Sequence, residues 1–139
     1  MSNRVFSTGS RRDTGENKPP LSKLPFKALK EVALVHGYGD KNYGVGNWRK
    51  GQRFSVLSDS MLRHWEAWFT SMEDKDPKSG LHHMAHCAWN AIVLLYECIY
   101  YRPELDDRLT KEGNWYSKEF AKTKLAKQLE NPYEQEEVI

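Results

Sequence analysis

The sequence has little net charge, few cysteines and no long apolar run, and each shortage closes off a class of protein. Its 21 Lys and Arg against 19 Asp and Glu leave +2. That is too little to coat a nucleic acid, and no dense basic run occurs in the part expected to fold. The longest apolar stretch, Ala91 to Leu95, falls far short of the roughly 20 residues that a membrane-spanning helix requires. The N-terminus carries Arg4, Arg11, Arg12 and Asp13 without the apolar run of a secretory signal. No nucleic-acid partner, no membrane partner and a cytoplasmic location are therefore expected. The two cysteines, Cys87 and Cys98, stand on one expected helix, about 16 Å apart at the helical rise. A disulfide requires Cα atoms within about 7 Å, so both are expected as reduced core residues. Their spacing suits no structural zinc site. No internal repeat and no strand-like alternation is visible.

Aromatic residues are what the chain has in quantity, with five Trp and seven Tyr in 139 residues. In a single domain of this length, so many rings must fill a core, cover an oligomer interface or stack on a planar ligand. Residues 1–22 are rich in Ser, Arg, Gly, Asn and Lys and include Pro19 and Pro20. They bury too little apolar surface to order themselves and are expected as a flexible arm. Residues 23–131 are expected to form the folded domain, and 132–139 an acidic tail.

Within the domain, apolar spacing predicts an all-α fold, a bundle of about four helices. The first begins near Pro25, runs through Leu29, Val32 and His36, and is expected to stop at Gly37 and Gly39. A glycine-rich loop over 37–51 follows, and it keeps Tyr38, Tyr43 and Trp48 among Lys41, Asn47 and Arg49. The ordinary alternative is a mobile connector, but backbone freedom, cations and flat rings together suit a nucleotide. A second helix is predicted from a cap at Ser58 or Asp59 to about Met72. An acidic turn over 73–80 leads to a third, strongly apolar helix from about Leu81 to Tyr101, stopped before Pro103. A fourth helix is expected near Ser117 to Leu129.

Helical geometry sorts the polar residues onto faces, because each residue advances by about 100°. With His83 as origin, His86, Asn90 and Glu97 fall within roughly 60° of it, opposite Ile92, Leu95 and Ile99. The second helix similarly aligns Asp59, Arg63, Glu66 and Thr70. The turn between the helices supplies Glu73, Asp74 and Asp76. If the two helices form an antiparallel hairpin, carboxylates and imidazoles converge near the turn, as a divalent cation requires. A polar helix face is, in the ordinary case, merely solvated, and a lone His pair at i, i+3 is more often packing than ligation.

Beyond spacing, the string Lys41-Asn-Tyr-Gly44, Asn47-Trp48, Arg63-His64, Glu73-x-x-Asp76, Ser79-Gly-Leu-x-His83-x-x-His86, Asn90 and Leu105-Asp-Asp-Arg108 resembles a phage family. This is the dATP/dGTP diphosphohydrolase family, MazZ-type relatives of the all-α MazG nucleotide pyrophosphohydrolases. The resemblance covers about Leu24 to Arg108. It implies an all-α fold, a homodimer or homotetramer, a divalent cofactor (Mg²⁺, Mn²⁺ or Co²⁺), and cleavage of dGTP or dATP to the monophosphate and pyrophosphate. It also implies action in the host cytoplasm, adjusting the dNTP pool or supplying dGMP. Two departures stand out. Arg63/Glu66 and His83/His86 occupy the places of the paired acids of MazG relatives. Lys78 stands where the phage pattern has an acid. The resulting candidates are Glu73, Asp76 and His83 for catalysis, and Asp59, Glu66, Glu73, Asp76, His83 and His86 for metal. Lys41, Tyr43, Asn47, Trp48, Arg53, Arg63, His64 and Asn90 are the candidates for substrate. The competing reading is a non-catalytic helical module for oligomerisation or protein binding.

Overall fold

The computed structural model describes residues 3–108 and residue 122. Three α-helices build it: α1 (Phe26–Tyr43), α2 (Phe54–Phe69) and α3 (His83–Ile99). The fold is all-α around these three. The expected fourth helix and the acidic tail lie outside the described residues. Helix α3 is the centre, with α2 and α1 both packed against it. Among the described residues no helix is long and apolar enough to cross a membrane.

Helix α1 does not stop where the glycines predict. It runs through Gly37 and Gly39 to Tyr43, so the first half of the expected loop is helical. A glycine in a helix interior costs about 1 kcal/mol relative to alanine, a local penalty that helix continuity and packing on α3 outweigh. The helix ends instead at Gly44, whose φ of +95° leaves helical geometry while its N–H still donates to the Asp40 carbonyl. A short 3₁₀ turn over Asn47–Lys50 then carries Trp48 back toward α3, where its ring meets Tyr96 edge-on at 4.8 Å.

Helix α2 starts at Phe54, a turn earlier than Ser58 or Asp59 predicts, and ends at Phe69. Its cap comes from far along the chain. The Asp107 carboxylate accepts the Ser55 backbone N–H at 2.9 Å and also the Ser55 hydroxyl, satisfying donors that the first turn of any helix leaves open. Phe54 and Leu57 are buried and anchor that turn. Neighbouring Asp106 accepts from Arg108 and from the Tyr101 hydroxyl. Those Arg108 hydrogen bonds, with Tyr101, hold its carboxyl down at about 2. The late Leu105-Asp-Asp-Arg108 string thus closes the base of the helix pair. Gly51 belongs to the same closure: its φ is +92°, and a Cβ there would lie 2.6 Å from Arg102.

On α3 the polar stripe is the buried one. His83, His86, Asn90 and Glu97 are buried alongside Ala85, Cys87 and Val93, whereas Ile92, Leu95 and Ile99 are exposed. Both cysteines are free thiols, but Cys98, in the last turn, is exposed rather than core. Inside the segment expected to be a flexible arm lies a small antiparallel hairpin, β1 (Asn3–Val5) and β2 (Arg11–Asp13). Every residue of both strands is exposed. With no face to bury, its sequence carries no alternation to read.

Candidate functional site

Two hydrogen-bonded chains run from the α2–α3 turn into the space between the helices. In the first, the Glu73 carboxylate lies 2.7 Å from His83 Nε2, and His83 Nδ1 lies 2.8 Å from Nδ1 of His64. A carboxylate only accepts, so His83 donates through Nε2. With a neutral His83, Nδ1 then accepts from His64, and the His64 Nε2 lone pair is left open. In the second, Ser79 donates to Asp76 Oδ2 at 2.8 Å, and its oxygen lies 2.8 Å from His86 Nε2. Ser79 has spent its proton on Asp76, so His86 donates through Nε2 and keeps a lone pair on Nδ1. Both imidazoles are thereby locked into one tautomer by a carboxylate.

The rings of His64 and His86 stack, nearly parallel, at 4.2 Å. Burial, then the neighbouring His86 and His83, press His64 down to about 4. Burial lowers His86 as well, against the pull of Asp76. Both are therefore neutral near pH 7. Burial raises Asp76, but the Ser79 hydroxyl and backbone N–H, the Lys78 backbone and His86 outweigh it and hold the group ionised. The turn achieves this geometry through backbone bonds: Asp76 N–H donates to Leu81, Gly80 N–H returns to Asp76, and His83 N–H reaches Asp74.

These groups open onto a cavity of about 430 Å³ between the three helices. Arg63, Lys78, His64, His86 and Asp76 form one wall. The facing wall comes from α1 and the 3₁₀ turn: Tyr38, Gly39, Asp40, Tyr43, Asn47 and Trp48. Of the residues singled out from sequence, Asp76, His86, Tyr43, Asn47, Trp48, Arg63, His64 and Asn90 line this cavity. Asn90 also ties α3 to α2, donating to the Ser60 hydroxyl at 3.3 Å as well as to the His86 carbonyl of its own helix at 2.9 Å. His83 and Glu73 stand behind His64 rather than on the wall. Lys41, Arg53, Asp59 and Glu66 are not among the lining residues, and Lys41, Asp59 and Glu66 are exposed. Lys78, in the place of an expected acid, puts a cation on the cavity wall.

Sequence reasoning placed Tyr38 in a loop suited to a nucleotide but singled out neither Gly39 nor Asp40 nor His36, all of which line the cavity. The available signal was the i, i+4 spacing of His36 and Asp40, hidden by ending the helix at Gly37. Among the described residues no three His, Cys, Asp or Glu side chains form a ready-made metal cage. The arrangement offers open nitrogens of two neutral imidazoles beside one ionised carboxylate.

Fold and cavity together define a small helical domain built around one polar cleft between an imidazole wall and an aromatic wall. The profile of the family described as dATP/dGTP diphosphohydrolase, N-terminal, matches residues 8–108, and the chain belongs to that family. A dATP/dGTP diphosphohydrolase of Salmonella phage PMBT28 is 36% identical over 101 residues, covering 73% of this chain and 33% of the phage protein. The chain thus spans about a third of the length of that relative. No solved structure matches it.

Proposed function

We propose that this protein hydrolyses a purine deoxynucleoside triphosphate, dGTP or dATP, to the monophosphate and pyrophosphate with the help of a divalent cation. The observation that carries the proposal is the two-walled cavity: cations and neutral imidazoles on one side, rings and an amide on the other. Family membership and the name of the phage relative support the same substrate. Arg63 and Lys78 suit the phosphates, to which each brings a positive charge and several N–H donors. Asn47, Trp48 and Tyr43 suit sugar and base.

The donor set fits a borderline cation such as Mn²⁺ or Co²⁺ better than Mg²⁺, since imidazole nitrogen is softer than the all-oxygen shell Mg²⁺ prefers. Asp76 and His86 would hold it, with phosphate oxygens completing an open shell. When bound, such an ion neutralises phosphate charge and acidifies a water. The residues of the chain do the rest. His64, neutral and backed by His83 and Glu73, is placed to take a proton at Nε2. Ser79 keeps Asp76 and His86 in register. The hydrolase acts as a homodimer or homotetramer in the host cytoplasm in this reading, adjusting the dNTP pool.

The test is to incubate the full chain with each dNTP and Mn²⁺ and follow products by chromatography. The expected products from dGTP are dGMP and pyrophosphate, with activity lost in excess EDTA and restored by Mn²⁺. Release of orthophosphate and dGDP first, or full activity in EDTA, refutes the proposal.

A further inference from the structure

The α1 wall contains a group that does not belong in a site for a polyanion. Asp40 lines the cavity, and a carboxylate facing phosphates would repel them. Arg63 and Lys78 belong to α2 and the α2–α3 turn, whereas Asp40 belongs to α1. With the phosphates on Arg63 and Lys78 as proposed, Asp40 is left for the end of the ligand that carries no charge.

Its carboxylate is held there by a chain of its own. Trp89 Nε1, which can only donate, lies 3.3 Å from His36 Nδ1. That nitrogen must accept, so His36 carries its proton on Nε2. Nε2 lies 3.5 Å from Asp40 Oδ2, and the His36 ring is flanked by Trp48 at 5.9 Å and Trp89 at 6.4 Å. Ring contacts thus orient the imidazole, and its Nε2–H faces one carboxylate oxygen. Asp76, the other carboxylate on the cavity, accepts two bonds from Ser79. Oδ1 of Asp40 has no hydrogen-bond partner among the described residues.

We infer that Asp40, positioned by Trp89 and His36, reads the base and selects one that presents two adjacent N–H donors, as guanine does. The inference rests on the nucleotide-hydrolase reading. A carboxylate takes two parallel N–H donors in a bidentate pair. Guanine offers N1–H beside its 2-amino group. Adenine places a bare N1 acceptor next to its amino group, and a carboxylate oxygen repels that lone pair. A site built to bond a donor discriminates strongly against an analogue that lacks it, because the buried acceptor is then left unpaired.

Steady-state kinetics of the full chain on dGTP, dITP and dATP test this, since hypoxanthine keeps N1–H and lacks the 2-amino group. The expected order of kcat/KM is dGTP, then dITP, then dATP. Asp40→Asn should lower kcat/KM for dGTP by about tenfold or more and change dATP by less than about threefold, since Asn can donate to N1 of adenine. His36→Phe, which keeps a ring and loses the nitrogens, should move the same ratio part of the way. A purely structural role for His36 would lower both substrates together. An unchanged dGTP-to-dATP ratio in Asp40→Asn overturns the inference and leaves the hydrolase reading standing. If the wild type hydrolyses no dNTP, that reading fails, and calorimetric titration with dGMP and dAMP still judges Asp40. Tighter dGMP binding that Asp40→Asn abolishes supports its role, whereas equal affinities, or no binding of either, overturn it.

Discussion

The two walls of the cavity are built on different principles. On the α2–α3 side, each polar group is held by another polar group, and two carboxylates, Glu73 and Asp76, set the tautomers of three imidazoles through bonds of 2.7–2.8 Å. On the α1 side, ring packing does the positioning, and one imidazole passes it to one carboxylate through longer contacts of 3.3 and 3.5 Å. The first wall is stiff and closely tied, suited to chemistry that demands fixed proton positions. The second is broad and aromatic, suited to holding a flat ligand. Changes to the first wall should therefore appear in kcat, and changes to the second in KM or base preference.

The largest effect expected from breaking this contrast is at Asp76. Asp76→Asn keeps the shape of the turn and removes the charge facing His86. It should lower kcat by about a hundredfold or more, the scale of losing a group that stabilises the transition state. The melting temperature should hardly move, because a near-isosteric change at a polar turn costs about 1 kcal/mol at most. A variant with wild-type kcat would remove the turn from the active site and turn attention to Asp59 and Glu66.

A medium effect should separate the walls by pH. His64 titrates at about 4 in the folded protein, against an ordinary 6.5. Between those values the unfolded chain binds a proton that the native site refuses, so stability falls as pH falls from about 6.5 to about 4. His86 is shifted in the same direction and adds to the same trend. His64→Gln should flatten the slope of melting temperature against pH in that window. If the wild type and the variant show the same slope, the imidazole wall is more solvated than its geometry indicates.

The smallest effect concerns two glycines of α1 that form a matched pair. A Cβ on either Gly37 or Gly39 meets nothing within 4 Å, and only Gly39 lines the cavity. Each alanine variant should stabilise the helix by about 0.5–1 kcal/mol, a rise of a few degrees in melting temperature. Gly39→Ala should in addition raise KM severalfold, while Gly37→Ala leaves kinetics unchanged. Equal kinetics in the two variants would show that the ligand does not approach the α1 backbone.

The imidazole wall was the more legible of the two in the sequence. The i, i+3 pair His83 and His86 shares a helix face whatever surrounds it, and the acidic turn had to lie at the start of that helix. His64 was visible only through the family motif, because its partnership with His83 spans two helices. The aromatic wall was hidden behind a local rule that failed. Ending α1 at Gly37 turned Tyr38, Gly39 and Asp40 into loop residues and broke the His36–Asp40 pairing. The rule failed because glycine weakens a helix by an amount that tertiary packing routinely exceeds.

By itself, the sequence determined the all-α class, the three helices that carry the described fold, the polar stripe of α3 and the presence of carboxylates beside it. All of these follow from periodicity, which acts over a few residues and survives without knowledge of neighbours. Tertiary structure alone decided that this stripe faces inward while Ile92, Leu95 and Ile99 face out. It alone let Asp107 cap a helix 52 residues earlier in the chain, and it alone brought Asp40 into one cavity with Arg63 and Lys78. Those outcomes depend on which surfaces meet, and a buried polar group is tolerated only where distant partners satisfy it.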